Sequence, residues 1–341
     1  MIVIMAKDTA PGDLDEVKRR IENHPGLKPQ VFNGLERIVV GVLGSVPPDL
    51  KDEMELLPGV IEVVAISKPY KLASREFHPD SSKVVVDGVV IGGPEPIIMA
   101  GPCSVEDEEQ MVATARAVKA AGAKILRGGA FKPRTSPYSF RGMGVEGLKL
   151  LRLAKQETGL PIITEVMAPE DVDTVAEYAD ILQIGTRNMQ NYSLLDEVGK
   201  IRKPVMVKRG LAASYEEWLQ AAEYVMAGGN DQVILCERGI RSFEQFTRFT
   251  LDVAAIPVIK RLSHLPIIAD PSHSTGKWYL VTPVALAAIA AGAHGLLVEV
   301  HPNPDVAKCD GPQSLTFENF NSLMSQVEAV ASVRQQPAGV P

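Results

Sequence analysis

From Ile97 onward, short apolar runs recur along the chain: Ile97–Ala100, Lys124–Leu126, Pro161–Thr164, Ile181–Ile184, Pro204–Val207, Gln232–Leu235, Pro266–Ala269 and Gly295–Val298. Every gap between them is long enough for a helix. Met111–Ala121, Gly147–Glu157, Tyr215–Met226 and Pro283–Ala291 carry apolar residues three and four apart, the spacing of a helix with one buried face. Strand–helix alternation of this kind builds a parallel sheet, and eight units in about 250 residues predict a (β/α)8 TIM barrel rather than an open sheet. The runs are apolar throughout instead of alternating, as strands covered on both faces should be.

The residues before the barrel follow a different rhythm. Ile2–Ala6 reads as a strand, Gly12–Asn23 as a helix through Leu14, Val17 and Ile21, and Val31–Phe32 and Ile38–Leu43 as two strands around the Asn33-Gly34 turn. Asp49–Leu57 follows as a helix and Val60–Ile66 as a strand, giving the β-α-β-β-α-β order of a small α+β ferredoxin-like domain over residues 1–66. Residues 67–96 hold prolines at 69, 79, 94 and 96 and read as a linker. It includes a hairpin with Asp87-Gly88 at its tip, expected to plug one end of the barrel. The barrel domain is assigned to 97–333 and a frayed tail to 334–341.

Composition narrows the function. Thirty-five Lys and Arg against forty-two Asp and Glu give a net charge of −7, which argues against a nucleic-acid binder. No stretch has the length of a membrane span, the N-terminal residues lack a signal-peptide pattern, and three cysteines make no disulfide framework. A reducing cytoplasm is the expected compartment.

Barrel enzymes work at the C-terminal ends of their strands. There the chain places Cys103, Arg127, Lys132, Glu165, Gln183, Arg187, Lys208, Arg209, Glu237, Arg238, Asp270, His273, Glu299 and His301. Arg and Lys concentrated at one mouth of an acidic protein imply anionic substrates carrying phosphate and carboxylate.

Seven ordered motifs carry a resemblance: Gly101-Pro102-Cys103-Ser104, Leu126-Arg127-Gly128-Gly129, Lys132-Pro133-Arg134-Thr135-Ser136, Gln183-Ile184-Gly185, Cys236-Glu237-Arg238-Gly239, Asp270-Pro271-Ser272-His273-Ser274 and Val298-Glu299-Val300-His301-Pro302. Together they resemble the 3-deoxy-D-arabino-heptulosonate 7-phosphate (DAHP) synthases, and the extension resembles the regulatory domain of the type I beta subgroup. The resemblance implies one divalent cation on Cys103, His273, Glu299 and Asp310. A thiolate, an imidazole and two carboxylates suit Mn²⁺, Fe²⁺, Co²⁺ or Zn²⁺ better than Mg²⁺ or Ca²⁺. It also implies phosphoenolpyruvate on Arg127, Lys132, Arg187, Lys208 and Arg238, with Glu165 and the Ala212-Ala213 loop beside them. Arg134, Thr135 and Ser136 are implied to take the phosphate of erythrose 4-phosphate. Glu237 is read as orienting Arg238, and His301 as a partner of the metal ligands, an extra ligand or a loop histidine. His24, His78 and His264 read as structural or solvent-exposed.

The implied reaction joins phosphoenolpyruvate, erythrose 4-phosphate and water into DAHP and phosphate, the entry step of the shikimate pathway. The metal would polarise the aldehyde or activate a water. Cys103, His273 and Lys132 would be its catalytic residues, Lys132 as proton donor to the developing alkoxide with a water molecule as the alternative. The family further implies a homotetramer and inhibition by tyrosine or phenylalanine. Two other readings stay open here: the sister 3-deoxy-D-manno-octulosonate 8-phosphate synthase, which shows Lys-Ala-Asn-Arg-Ser where this chain has Lys-Pro-Arg-Thr-Ser, and a non-catalytic amino-acid sensor.

Overall fold

A computed structural model of the chain describes residues 1–44, 46–47, 49–64, 69–132 and 138–333. The tail expected at 334–341 lies outside them. The described residues form two compact units, one over Met1–Ser81 with Arg261–His264, the other over Ser82–Lys260 and from Leu265 onward.

The first unit has the expected β-α-β-β-α-β order: β1 (Ile2–Ala6), helix Pro11–Glu22, β2 (Lys28–Asn33), β3 (Arg37–Leu43), helix Leu50–Glu55 and β4 (Val60–Val64). The strands lie in the order β2-β3-β1-β4, all pairs antiparallel. Alternate residues Val3, Met5, Val40 and Val42 face Val17, Ile21, Leu50 and Met54 of the two helices and form one core. The opposite face of the sheet is covered as well. A Cβ on Gly41 would sit 1.4 Å from the Phe77 ring, so the glycine is the slot into which that fully buried ring fits. Phe77 meets Phe32 edge-on at 4.8 Å between centroids, and Tyr70, Leu72 and Ala73 are buried too. The proline-bearing stretch after residue 66, expected as a linker, is therefore packed structure over much of its length, and the unit extends to Ser81. Within the same unit Arg75 donates twice to the Ser263 carbonyl, at 3.1 and 2.7 Å.

In the second unit β5 (Val84–Val86) and β6 (Val89–Ile91) make the expected hairpin, with Asp87 and Gly88 both at positive φ as a primed turn requires. The barrel follows: β7 (Ile97–Gly101), β8 (Ile125–Arg127), β9 (Ile162–Val166), β10 (Ile181–Ile184), β11 (Val205–Lys208), β12 (Val233–Glu237), β13 (Ile267–Ala269) and β14 (Gly295–Glu299). Each of the eight apolar runs overlaps one strand; all neighbours are parallel, and β14 pairs with β7 to close the ring. Val84, Val86 and Ile91 of the hairpin pack on inward residues that include Ile97, Ile125 and Ile181, the first residues of their strands. The hairpin thus stops the N-terminal end and leaves the chemistry to the other. Gly101 is fixed by strand approach, since a Cβ there would lie 2.0 Å from the Arg127 carbonyl oxygen.

The Gly41 slot makes a stability prediction. Gly41→Val should destabilise the first unit by about 1–3 kcal/mol through overpacking, and Phe77→Ala in the same chain should return part of that loss. Denaturant unfolding of the four chains of this cycle measures the coupling; additive effects would count against the slot.

Candidate active site

Cys103, His273, Glu299 and Asp310 come together although they stand up to 207 residues apart, each offering a ligand atom within 4.8 Å of the others. Strand closure explains three of them, because Cys103 follows β7, Glu299 ends β14 and His273 follows β13. The His273 Nε2 lies 3.3 Å from a Glu299 oxygen and 3.9 Å from Asp310, and the Cys103 Sγ lies 3.4 Å from Asp310 Oδ2. This donor set fits a divalent transition ion: one soft and three harder ligands converge, all buried or nearly so.

The surroundings orient each ligand. Asp270 caps the short helix Pro271–Thr275 by accepting from the His273 backbone N–H at 2.9 Å, and its other oxygen accepts from His273 Nδ1 at 2.7 Å. That leaves Nε2 turned toward the cluster, the carboxylate–imidazole arrangement common behind metal ligands. Asp270 is itself fully buried and takes Lys208 Nζ at 2.5 Å. Burial works against its charge, but His273 and Lys208 outweigh it and hold its carboxyl well below the usual range. Glu299 accepts from Arg127 at 2.8 Å and from Gln313 Nε2 at 2.6 Å. Asp310 stands in the left-handed region at φ 50°, and against its own burial His273, Arg248 and Lys132 bring its pKa down to about 2.

Beside the cluster lies a cavity of about 340 Å³, lined among others by Arg127, Lys132, Glu165, Arg187, Lys208 and Arg238. All six were expected at the site. Glu165 is admitted by Gly185, where a Cβ would fall 2.1 Å from its carboxylate. Arg238 stacks on Phe249 at 4.3 Å, and its Nη1 is buried without a hydrogen-bond partner. A buried, unpaired guanidinium nitrogen at a cavity wall is a place for an anion. Burial disfavours the Lys132 charge, yet Cys103, Cys309 and Glu299 more than offset it and raise its pKa, so it enters the site as a cation. Arg134, Thr135 and Ser136 lie outside the described residues.

Three details depart from the sequence reading or escaped it. Glu237 does not orient Arg238; it accepts from Arg209 at 2.9 Å and from the Gly239 backbone at 2.7 Å, while Arg209 also pairs with Asp252. Successive strand residues point to opposite faces, which separates Glu237 from its neighbour. His301 is buried and stands outside the four-donor group, 3.6 Å from Glu106. Arg248 and Gln313 were not foreseen: Arg248 approaches Asp310 at 3.4 Å and donates to Gln313 at 2.9 Å. Neither belongs to a strand-end motif, so only the folded chain reveals them. Of the remaining histidines, His78 and His264 stack at 4.3 Å in the first unit, and His24 stands 3.6 Å from Glu53.

A closed eight-stranded barrel with four potential metal donors beside a cationic cavity is the arrangement of a barrel enzyme, and its cavity suits anions. Comparison with known proteins gives the family. Residues 71–336 match the DAHP synthetase I family and residues 1–68 the DAHP synthase ferredoxin-like domain, and the chain belongs to the DAHP synthetase I family. It is 48% identical over 331 residues to the phospho-2-dehydro-3-deoxyheptonate aldolase of Thermotoga maritima, covering 97% of this chain and 98% of that one. A crystal structure of a DAHP synthase from Thermotoga maritima superposes with a TM-score of 0.77 over 97% of each chain. The 2-dehydro-3-deoxyphosphooctonate aldolase of Magnetococcus marinus is 32% identical over 272 residues, 74% of this chain and 94% of that one. Among the described residues, no helix is long and apolar enough to cross a membrane.

The cluster also has a redox consequence. The Cys309 Sγ lies 2.9 Å from that of Cys103. With metal removed by a chelator, hydrogen peroxide should convert one thiol to a sulfenic acid that the other condenses to a disulfide, releasing water. Non-reducing peptide maps should show a Cys103–Cys309 link that metal-loaded protein resists; free thiols throughout would refute it.

Proposed function

We propose that the chain condenses phosphoenolpyruvate with D-erythrose 4-phosphate and water to give DAHP and inorganic phosphate, the first step of the shikimate pathway. The observation that carries this reading is the cationic cavity, with its unpaired Arg238 Nη1, directly beside the four-donor cluster. Likeness to the Thermotoga enzyme across both units supports it. In this reading Arg238, Arg187 and Lys132 hold the phosphate and carboxylate of phosphoenolpyruvate, and Arg127 and Lys208 shape the floor through Glu299 and Asp270. Arg134, Thr135 and Ser136 take the second phosphate. Cys103, His273, Glu299 and Asp310 would hold a divalent ion of the Mn²⁺, Fe²⁺, Co²⁺ or Zn²⁺ kind, which would supply Lewis acidity toward the aldehyde oxygen.

Carbon 3 of phosphoenolpyruvate then bonds to the aldehyde carbon, water adds at carbon 2, and the hemiketal phosphate releases phosphate. Lys132, which lines the cavity beside the cluster, carries the proton that the new alkoxide oxygen requires. The octulosonate reading is weaker because the Magnetococcus relative is less similar and leaves a quarter of this chain unmatched. An intact donor set speaks against a non-catalytic sensor.

The ferredoxin-like unit adds nothing the condensation needs, so in the same proposal it binds tyrosine or phenylalanine as end-product inhibitor in a cytoplasmic homotetramer. Such an effector must prefer the inhibited state, since equal affinity for both shifts nothing. Three free, buried cysteines suit a reducing compartment.

Phosphate release measured with phosphoenolpyruvate, a divalent metal and either erythrose 4-phosphate or arabinose 5-phosphate tests the substrate. Turnover is expected with the four-carbon sugar; preference for arabinose 5-phosphate would reverse the assignment, and no release with either would favour the sensor. Cys103→Ala should abolish metal-dependent turnover, and near-wild-type activity at limiting metal would remove Cys103 from the ligand set. A chain starting near Lys68 should stay active and lose its response to tyrosine or phenylalanine. An unchanged inhibition curve would move the effector to the barrel.

A further inference from the structure

We propose that Glu106 is a positioning residue that ties together the two loops carrying Cys103 and Asp310, and so sets the reach of Asp310 into the donor cluster. Glu106 follows Cys103 by three residues, between β7 and helix Glu108–Ala120, and is 9% exposed. Its Oε1 accepts from the Lys308 backbone N–H at 2.8 Å, and its own carbonyl accepts from Lys308 Nζ at 3.4 Å. Lys308 stands two residues before Asp310. One carboxylate therefore bridges a segment just after one ligand to a segment just before another.

His301 stands against the same carboxylate without a hydrogen bond to it. Its Nδ1 accepts from the Asn303 backbone N–H at 3.1 Å, so in the neutral ring the proton is on Nε2. That Nε2 is buried, without a hydrogen-bond partner, and lies 3.6 Å from the same Glu106 Oε1. Asp310 gains from such support because its backbone is left-handed at φ 50°, a conformation that aspartate tolerates better than most L residues but that still costs free energy. On the far side its carbonyl accepts from Gln313 N–H and Ser314 Oγ, both at 3.2 Å. On the near side Glu106 supplies the hold. Burying a carboxylate is unfavourable unless its hydrogen bonds compensate, and the partners here fix a loop instead of substrate.

The inference rests on the metal reading of the cluster, and cobalt as probe separates the two. Cobalt is titrated into wild type, Glu106→Gln, Glu106→Asp and Asp310→Asn against a competing chelator, with absorption spectra recorded. Gln keeps the reach and the Oε1 acceptor while losing the charge; Asp keeps the charge and falls short of Lys308. The clamp predicts that Asp weakens cobalt binding about ten- to hundred-fold and shifts the d–d bands toward those of Asp310→Asn, with the thiolate charge-transfer band retained. Gln should bind within about threefold of wild type. The reverse order, or wild-type affinity in Glu106→Asp, overturns the clamp alone. Wild-type protein that binds no cobalt overturns the metal reading and the clamp with it.

Discussion

Buried charge is the constraint on which the barrel mouth depends. Glu237, Asp270 and Glu299 are essentially inaccessible to water, and an isolated carboxylate in such surroundings is several kilocalories per mole out of balance. Each therefore has its own cation: Arg209 for Glu237, Lys208 for Asp270 and Arg127 for Glu299. These pairs cross neighbouring or nearby strands, so the charges are satisfied only once those strands have paired, and the Arg127–Glu299 pair spans the β14–β7 junction that closes the ring. Closure, ligand geometry and electrostatics are consequently one condition met together.

The same pairing divides the basic residues by task. Arg209 is held by two carboxylates and lies 4.6 Å over the Tyr215 ring, which leaves it little freedom for an incoming anion. Arg127 is anchored to Glu299 of the donor cluster, and Lys208 to Asp270, which orients His273. Arg238 is the contrast, stacked on an aromatic face with one nitrogen unpaired. A count of arginines at strand ends could not have sorted these roles, because an anchored guanidinium and an available one look alike in a linear chain.

Much of the architecture was legible because it is written in local periodicity. Eight apolar runs, the Asp87-Gly88 turn and the helices between them follow from neighbours a few residues apart. The four-donor cluster was legible only through ordered motifs matched to a family, since the spacing of its residues carries no metal signature. What stayed hidden depends on contacts across the fold. The reach of the first unit past residue 66 turns on Phe77 finding Gly41, and the partner of Glu237 turns on which face of β12 it occupies. Arg248 and Gln313 reach Asp310 and Glu299 from outside the strand ends, and Glu106 reaches Lys308, where no repeat points to them.

The left-handed backbone of Asp310 restricts what the position can become. Asparagine and aspartate tolerate that conformation better than other side chains of their size, and glycine tolerates it with no donor atom at all. Glutamate would bring a carboxylate on a longer arm from a backbone it does not favour. Of the two carboxylates, only aspartate suits the position. Drift here runs into loss of charge or loss of fold at its first step, so the loop is far less free to vary than its place at the surface of a barrel suggests.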